Sequence, residues 1–114
     1  MMTMKQEIEN FIELLNELQK IDPEFPLQYA RCLSEIALNE GLSMTELAEK
    51  TGMPLSTISR ITASLSKQRS RGKHYDLLRI NVSPTERRKK QIFLNKKGHQ
   101  VVDNISKIVV SGKR

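Results

Sequence analysis

The chain has 114 residues, is 38% hydrophobic and 28% charged, and carries a formal net charge of +6. This composition excludes wholesale disorder, and the length fits one domain with a modest core, which dimerisation would enlarge. A single cysteine, Cys32, excludes an internal disulfide and a four-cysteine zinc site. No signal peptide or apolar run of membrane-spanning length is recognisable, so we expect a cytoplasmic protein that binds no membrane.

The charges are unevenly divided along the chain. Residues 1–52 hold 4 Lys or Arg against 10 Asp or Glu, whereas residues 53–114 hold 15 against 3. Lys and Arg side chains that neutralise phosphates release condensed counterions, so a basic half indicates a face that binds a polyanion. Charge that serves solubility is the alternative, but it explains a net value better than this segregation.

Residues 4–21 predict an amphipathic helix, because apolar side chains recur at steps of three and four while the glutamates, Glu17 among them, lie outside the stripe. We expect this stripe to meet a second copy of the chain; folding back onto its own domain is the alternative. Two prolines, Pro23 and Pro26, interrupt the helical pattern after residue 21. A second helix, residues 27–39, is expected to end at Gly41 and to bury Cys32 as a small hydrophobe, which is favoured over a redox role.

Residues 43–67 predict a helix-turn-helix. Ser43 and Glu46 form a capping box that starts a short helix ending near residue 50. Gly52 breaks that helix because it accepts a positive φ without steric cost, and Pro54 is tolerated in the first turn of the next helix.

The second helix of this motif has two contrasting faces. Ile58, Ile61 and Leu65 form a narrow apolar stripe. The opposite face is small, hydroxyl-rich and basic, which suits entry into a DNA major groove. A helical hairpin with a solvated polar face is the alternative. The polar face comprises Ser56, Thr57, Ser59, Arg60 and Ser64.

A basic loop and a β-hairpin are predicted next. Residues 66–74 are polar and unpatterned, which is typical of a loop or a frayed helix end. Alternating apolar residues over 75–82 and an apolar run at 91–94 predict two strands, joined by a cationic tip. Such a wing can lie along the DNA backbone or insert an arginine into a minor groove, and Arg88 is the residue we expect there.

Residues 96–110 predict a final helix, capped by Asn95, in which Gly98 allows close packing beneath the wing. Its apolar face is expected to join the first helix in a homodimer interface. The expected interface residues are Met4, Ile8, Phe11, Ile12, Leu15, Leu18, Ile105, Ile108 and Val109.

The residues expected to contact double-stranded DNA come from the helix-turn-helix, the basic loop and the wing. They are Ser43, Thr45, Pro54, Ser56, Thr57, Ser59, Arg60, Ser64, Lys67, Arg69, Arg71, Lys73, Arg87, Arg88, Lys89 and Lys90.

This order of elements resembles the MarR family of winged-helix transcriptional regulators over nearly the whole chain. The most specific part is residues 83–98, SPTERRKKQIFLNKKG, which is similar to the family's Asp-Pro-x-Asp-Arg-Arg wing tip and Leu-Thr-x-x-Gly ending. Ser83, Glu86 and Asn95 stand where the family usually has Asp, Asp and Thr. The connection over residues 65–83 is longer than usual, and the last helix is shorter, so the interface is expected to rest more on residues 4–21.

The resemblance implies a mainly α fold with a small β-hairpin, a single winged helix-turn-helix domain over residues 1–114, flanked by N- and C-terminal dimerisation helices. It also implies a symmetric dimer on a pseudo-palindromic operator, with the recognition helix in the major groove and the wing at the minor groove, and repression of neighbouring genes. A small-molecule effector is common in the family, but no residue constellation here identifies its pocket.

The capped helix-turn-helix, the wing and the charge division together predict a sequence-specific DNA-binding transcriptional regulator. The alternative is a winged-helix architectural or protein-interaction module, such as a plasmid or phage accessory protein, with little sequence preference. Catalysis is not expected, because His74 and His99 lack carboxylate or glycine-rich neighbours at useful spacing. No catalytic residue, metal site or cofactor is assigned.

Overall fold

The structure is a computed structural model that describes residues 1–67, 74–85 and 89–111. This part of the chain forms five helices and one two-stranded antiparallel hairpin. None of its helices is long and apolar enough to cross a bilayer. The elements are α1 (Met4–Ile21), α2 (Leu27–Leu38), α3 (Met44–Thr51), α4 (Leu55–Leu65), β1 (Leu78–Val82), β2 (Lys90–Leu94) and α5 (Lys96–Ser111).

Helix α1 begins at a capping box, in which the Thr3 hydroxyl accepts from the Gln6 N–H and the Gln6 side chain accepts from the Thr3 N–H. The helix packs along α5. This packing corrects one sequence prediction, since Glu17 is buried, bonded to Lys20 at 3.3 Å and to Asn104 at 3.4 Å, and does not lie on the solvent face.

The core lies where α2, α3 and α4 meet the hairpin. Cys32 is fully buried there, as expected, and burial raises the pKa of its thiol to about 11. Helix α2 ends at Leu38 with Asn39 as its C-cap, so Gly41 does not terminate it as predicted. The buried apolar side chains of this core are Cys32, Leu33, Ile36, Leu42, Leu47, Ile58, Ile61, Leu65, Leu77, Leu78, Ile92 and Leu94.

The helix-turn-helix follows the local signals in the sequence. The Ser43 hydroxyl accepts from the Glu46 N–H at 3.1 Å, and the Glu46 carboxylate accepts from the Ser43 N–H at 3.0 Å. Gly52 caps the end of α3 with a φ of 73°, and Pro54 is the N-cap of α4. The turn therefore uses a residue without a Cβ where a left-handed conformation is needed.

Strand β1 begins at Leu78, three residues later than predicted, because the preceding segment bonds to the end of α4. The Tyr75 N–H donates to the Ser64 carbonyl at 2.8 Å, and the Leu77 N–H donates to the Leu65 carbonyl at 2.7 Å. These two bonds attach the start of the hairpin directly to the C-terminal end of α4.

The hairpin is antiparallel, with Leu78 opposite Leu94 and Val82 opposite Lys90. Its β2 strand is bridged on the other edge by Leu42, whose carbonyl accepts from the Ile92 N–H at 2.9 Å. The sequence did not indicate this bridge. The segment between α2 and α3 therefore holds the hairpin from the second side.

Helix α5 starts at the predicted cap, since the Asn95 side chain accepts from the Gly98 N–H at 2.8 Å. Gly98 is buried, and a Cβ built there would overlap the Leu77 carbonyl oxygen and lie 3.4 Å from the Leu94 Cβ. The expectation that Gly98 permits close packing beneath the wing is confirmed.

Three aromatic rings join the corner after α1 to the end of α4. Phe25, Tyr29 and Tyr75 contact one another edge to face, with ring centroids 5.2 to 6.1 Å apart. The Tyr75 hydroxyl donates to the Asp22 carboxylate at 2.7 Å, and the Tyr29 hydroxyl donates to the Ser64 hydroxyl at 3.3 Å. Hydroxyls that are bonded in this way fix the orientation of both half-buried rings.

Candidate nucleic-acid interface

Helix α4 presents one exposed strip along its length. Each residue turns the helix by about 100°, so residues four apart lie on the same side. Measured around the helix axis from Leu55, the first residue of α4, side chains between 0° and about 140° face solvent. The rest of the circumference faces the core. The exposed residues are Leu55, Ser56, Ser59 and Arg60, and the fully buried ones are Ile58, Ile61, Thr62, Ser64 and Leu65.

This arrangement corrects the sequence prediction for Ser64, which was expected to contact DNA. Ser64 is 0% exposed, because it faces Tyr29 and lies beneath the segment that leads to β1. Thr57 is half-buried at the edge of the strip. The polar face of the helix is therefore narrower than the sequence suggested and centres on Ser56, Ser59 and Arg60.

Arg60 is exposed and forms no ion pair within the described ranges 1–67, 74–85 and 89–111. Its guanidinium therefore points to solvent with its donors available. A planar fork of this kind suits bidentate bonding to a guanine edge or to a phosphate.

An open groove of about 670 Å³ separates the start of α3 and the start of α4 from the wing. We call it the reading groove. Two lysines of the wing, Lys89 and Lys90, line one side, and Ser59 of α4 lines another. The full lining is Ser43, Met44, Thr45, Glu46, Leu55, Ser59, Lys89 and Lys90.

The acidic member of this lining is Glu46, which is exposed. The bond from the Ser43 N–H holds the pKa of the Glu46 carboxyl below its usual range, and the Ser43 side chain and the charges of Lys89 and Lys50 lower it further. The carboxylate is thus ionised and tied to the α3 cap.

Ser43 was also expected to contact DNA through its side chain. It is only 7% exposed, and its hydroxyl accepts from the N–H of Glu46, so its role in the structure is to cap α3. Thr45, one residue into the helix, is exposed and lines the reading groove. Pro54 is exposed at the turn before α4.

The remaining basic residues expected at DNA divide into two groups. Lys67 is exposed and lies 3.5 Å from Asp76, so part of its charge is balanced within the chain. The others fall outside the residues that the structure describes, and their DNA contacts stay predictions. They are Arg69, Arg71, Lys73, Arg87 and Arg88.

The position of the wing relative to α4 is set by backbone bonds. The Leu77 carbonyl accepts from the Asn95 N–H at 3.0 Å. The Leu77 N–H donates to the Leu65 carbonyl at the end of α4. At the far end of the hairpin, the Ser83 N–H donates to the Lys89 carbonyl at 2.7 Å. The two lysines therefore stand on a hairpin that is bonded to the helix they flank.

A second surface consists of apolar side chains on α1 and α5. Phe11 is 55% exposed and Val110 is 72% exposed, although both are large hydrophobic residues. We call this surface the α1–α5 face. Its members are Met4, Ile8, Phe11, Ile12, Leu15, Val109 and Val110.

Not every predicted interface residue belongs to this face. Ile108 is fully buried, because α5 packs that side against the rest of the chain, so its expected contact with a partner is wrong. Leu18 and Ile105 are half-buried and line an apolar cavity of about 530 Å³ between α1, α2 and α5. Phe11 and Leu15 also line this cavity, which therefore opens beside the α1–α5 face.

Residues 25–70, which contain α2 and the whole helix-turn-helix, match the model of the MarR family. This segment is similar to the MarR family, and the chain has the winged-helix fold of the solved structures that follow. A search of curated proteins found no match.

Solved structures share the fold of this chain at low sequence identity. MepR from S. aureus, in a complex with DNA, has a TM-score of 0.72 at 18% identity, over 89% of this chain and 76% of its own. RV1404 from Mycobacterium tuberculosis has a TM-score of 0.71 at 19% identity, over 88% and 63%. CouR, a transcriptional repressor bound to a 23-mer DNA duplex, has a TM-score of 0.66 at 20% identity, over 96% and 70%. The chain thus spans 63% to 76% of the lengths of these three proteins, and the predicted fold class is confirmed.

Sequence reasoning missed three residues that line the reading groove, namely Met44, Glu46 and Leu55. Glu46 was assigned only to the helix cap. Leu55 was not included in the apolar stripe or in the polar face, although its position four residues before Ser59 places both on one side of the helix. That spacing was the available signal.

Proposed function

We propose that this protein is a sequence-specific DNA-binding transcription regulator that binds a pseudo-palindromic operator as a homodimer and represses the adjacent genes. The observation that carries the proposal is the reading groove, where Ser59 of the recognition helix α4 and the lysines of the wing line one groove. Ser56 and Arg60 are exposed on the same strip of α4. Short hydroxyls and an arginine are the side chains that read base edges, and lysines bind phosphates without regard to sequence.

The charge division supports the same orientation on DNA. The excess of basic residues lies in residues 53–114, which contain α4, the wing and α5, and the acidic half contains α1, α2 and α3. Basic side chains on α4 and the wing would attract a polyanion to that surface. Two structural neighbours, MepR and CouR, were solved in complexes with DNA, which agrees with this use of the fold.

The homodimer is proposed on the α1–α5 face. Phe11 and Leu15 are exposed at the centre of α1, and Val109 and Val110 continue the apolar surface on α5. A second copy of the chain fits this surface, because a two-fold axis would bring the same apolar face from each copy together. Such a homodimer would present two recognition helices to one operator. The centres of the two half-sites would then lie about 10 bp, or a multiple of one helical turn, apart.

DNA specificity is tested by enriching random duplexes on the purified protein and then measuring the dissociation constants of the enriched duplex and of random DNA at physiological salt. We expect a preference of roughly a thousandfold or more. A preference of only a fewfold would reject the proposal in favour of a winged-helix architectural module.

Arg60→Ala tests the role of the recognition helix in the same assay. If Arg60 makes a bidentate base contact, its loss should weaken operator binding by about 1 to 3 kcal/mol and relax the preference at one base position. Lys107→Ala, which removes one exposed charge from α5, is the matched control and should leave the preference unchanged. Equal losses on operator and random DNA would assign Arg60 to phosphate binding instead.

The interface is tested by sedimentation of the Phe11→Asp, Leu15→Asp double variant. We expect the wild type to be a dimer at micromolar concentration and the variant to be a monomer that keeps its helical circular dichroism. Leu38→Asp, at a 79% exposed leucine at the end of α2, is the control and should remain dimeric. A monomeric wild type, or a dimeric double variant, would show that the α1–α5 face is not the interface.

A further inference from the structure

Leu55 has an exposed apolar side chain that does not belong to the hydrophobic core. It is the first residue of α4 and is 52% exposed, whereas Ile58, one turn later, is fully buried. Its neighbours in the reading groove include Ser59, Thr45 and Lys89, which are all exposed. An isolated exposed leucine is common on protein surfaces, so its location, not its exposure, is the informative fact.

That location is the N-terminal turn of the recognition helix. The first residues of such a helix are those that reach base edges when the helix lies in the major groove. Leu55 and Ser59 lie one turn apart on the same side of α4, and both line the reading groove. Any duplex that brings Ser59 to the base edges therefore brings Leu55 to them as well.

The major groove offers a leucine one apolar partner, the C5-methyl group of thymine. The other base edges carry hydrogen-bond donors and acceptors, which a leucine would cover without bonding, and this costs free energy. We propose that Leu55 contacts a thymine methyl group and so selects thymine at one position of each half-site. This inference rests on the proposed DNA-binding function and names one specificity-determining residue within it.

The wing favours a close approach at this point. Lys89 and Lys90 line the same groove as Leu55 and Ser59 and would supply two cations for the phosphates beside the contacted base. Binding would then exclude water from Leu55 and the methyl group together. Removal of one buried methyl group changes an equilibrium constant about fourfold.

The experiment replaces each thymine of the enriched duplex, one at a time, by deoxyuridine, which differs only in lacking the methyl group. Dissociation constants are measured for the wild type, Leu55→Ala and Leu55→Met, with Leu38→Ala as an exposed-leucine control. We expect one thymine per half-site at which the wild type loses about fourfold, and about fifteenfold when both half-sites are changed. Leu55→Met should keep this loss and Leu55→Ala should abolish it, as a double-mutant cycle requires for a direct contact.

Two results would overturn the inference. If no thymine is sensitive to loss of its methyl group, or if Leu55→Ala retains the sensitivity of the wild type, Leu55 does not read thymine, although the proposed function stands. If no duplex is enriched at all, the proposed function fails first and this inference with it. Thermal melting of each variant, followed by circular dichroism, checks that the changes arise from folded protein.

Discussion

Replacement of Gly98 by alanine tests how closely α5 approaches the start of the wing. The added Cβ would overlap the carbonyl oxygen of Leu77 and lie 3.2 Å from its carbonyl carbon, and Leu77 itself is fully buried. A backbone group cannot rotate away as a flexible side chain can. The segment before β1 must therefore move, or α5 must tilt.

The magnitude follows from two opposing effects. An extra methyl group in a closely packed site typically costs about 1 to 3 kcal/mol, and alanine gains about 1 kcal/mol over glycine inside a helix. Because the overlap is with backbone, we expect the upper part of the packing range, and a net loss of about 1 to 2 kcal/mol. For a domain of this size, that lowers Tm by roughly 5 to 15 °C.

The assay is thermal and urea unfolding of the wild type and Gly98→Ala, followed by circular dichroism. Gln100→Ala, at an exposed position of the same helix, is the control and should change stability by no more than about 0.5 kcal/mol. If Gly98→Ala is as stable as the wild type or more stable, helix propensity outweighs packing, and α5 does not approach Leu77 as described.

Three other predictions concern single side chains. Ser43→Ala should lower the free energy of unfolding, measured in urea, by about 1 kcal/mol, because the capping box is lost. Ser43→Thr keeps a capping hydroxyl and should retain most of the wild-type stability. The Cys32 thiol should react slowly with a disulfide reagent at pH 8 in the native state and fully in denaturant, because burial raises its pKa to about 11. The native state keeps the proton that the unfolded state releases near pH 9, so stability should fall as the pH rises from 9 to 11, by up to roughly 3 kcal/mol, and should fall less in Cys32→Ala. Tyr75→Phe should lower the free energy of unfolding, measured by thermal melting, by about 1 kcal/mol or more, because the 2.7 Å bond to Asp22 is removed. The matched variant Tyr29→Phe, whose hydroxyl bond is 3.3 Å long, should lose less stability.

Local signals in the sequence were sufficient for most of the helical structure. The capping box at Ser43, the positive φ at Gly52 and the cap at Asn95 each depend on residues within four positions of one another, and each is present in the structure. Periodicity also identified the buried stripe of α4. These features are predictable because short-range hydrogen bonds and helix geometry decide them.

The errors arise where distant segments decide which side of an element is covered. Ser64 lies at the edge of the apolar arc of α4, and it is buried because Tyr29 and the segment before β1 pack over it. Ile108 and Glu17 are buried for the same reason, by the packing of α1 along α5. Helical periodicity gives the direction of a side chain but not the identity of the element that meets it.

The reading groove could be predicted only in part. Its Ser59 and its two lysines followed from charge and from the face of α4, but Leu55 contradicted the expected pattern of a polar recognition surface. A lone exposed leucine is common on protein surfaces, so the position of Leu55 in the groove became informative only once the fold placed it there.

The hydrogen bonds that hold the wing and the aromatic cluster also have a consequence for how the chain folds. The bond from Tyr75 to Asp22 spans 53 residues, and the bond from the Leu94 N–H to the Glu40 carboxylate spans 54. Each closes a loop of nearly half the chain, and the entropy of that closure is lost before the contact is gained. We therefore expect helices α2 to α4 to collapse before the hairpin docks, and the docking of the hairpin to be the slower step. A fragment limited to residues 25–70 would lack Leu77, Ile92 and Leu94, so it would expose the core that those three residues close.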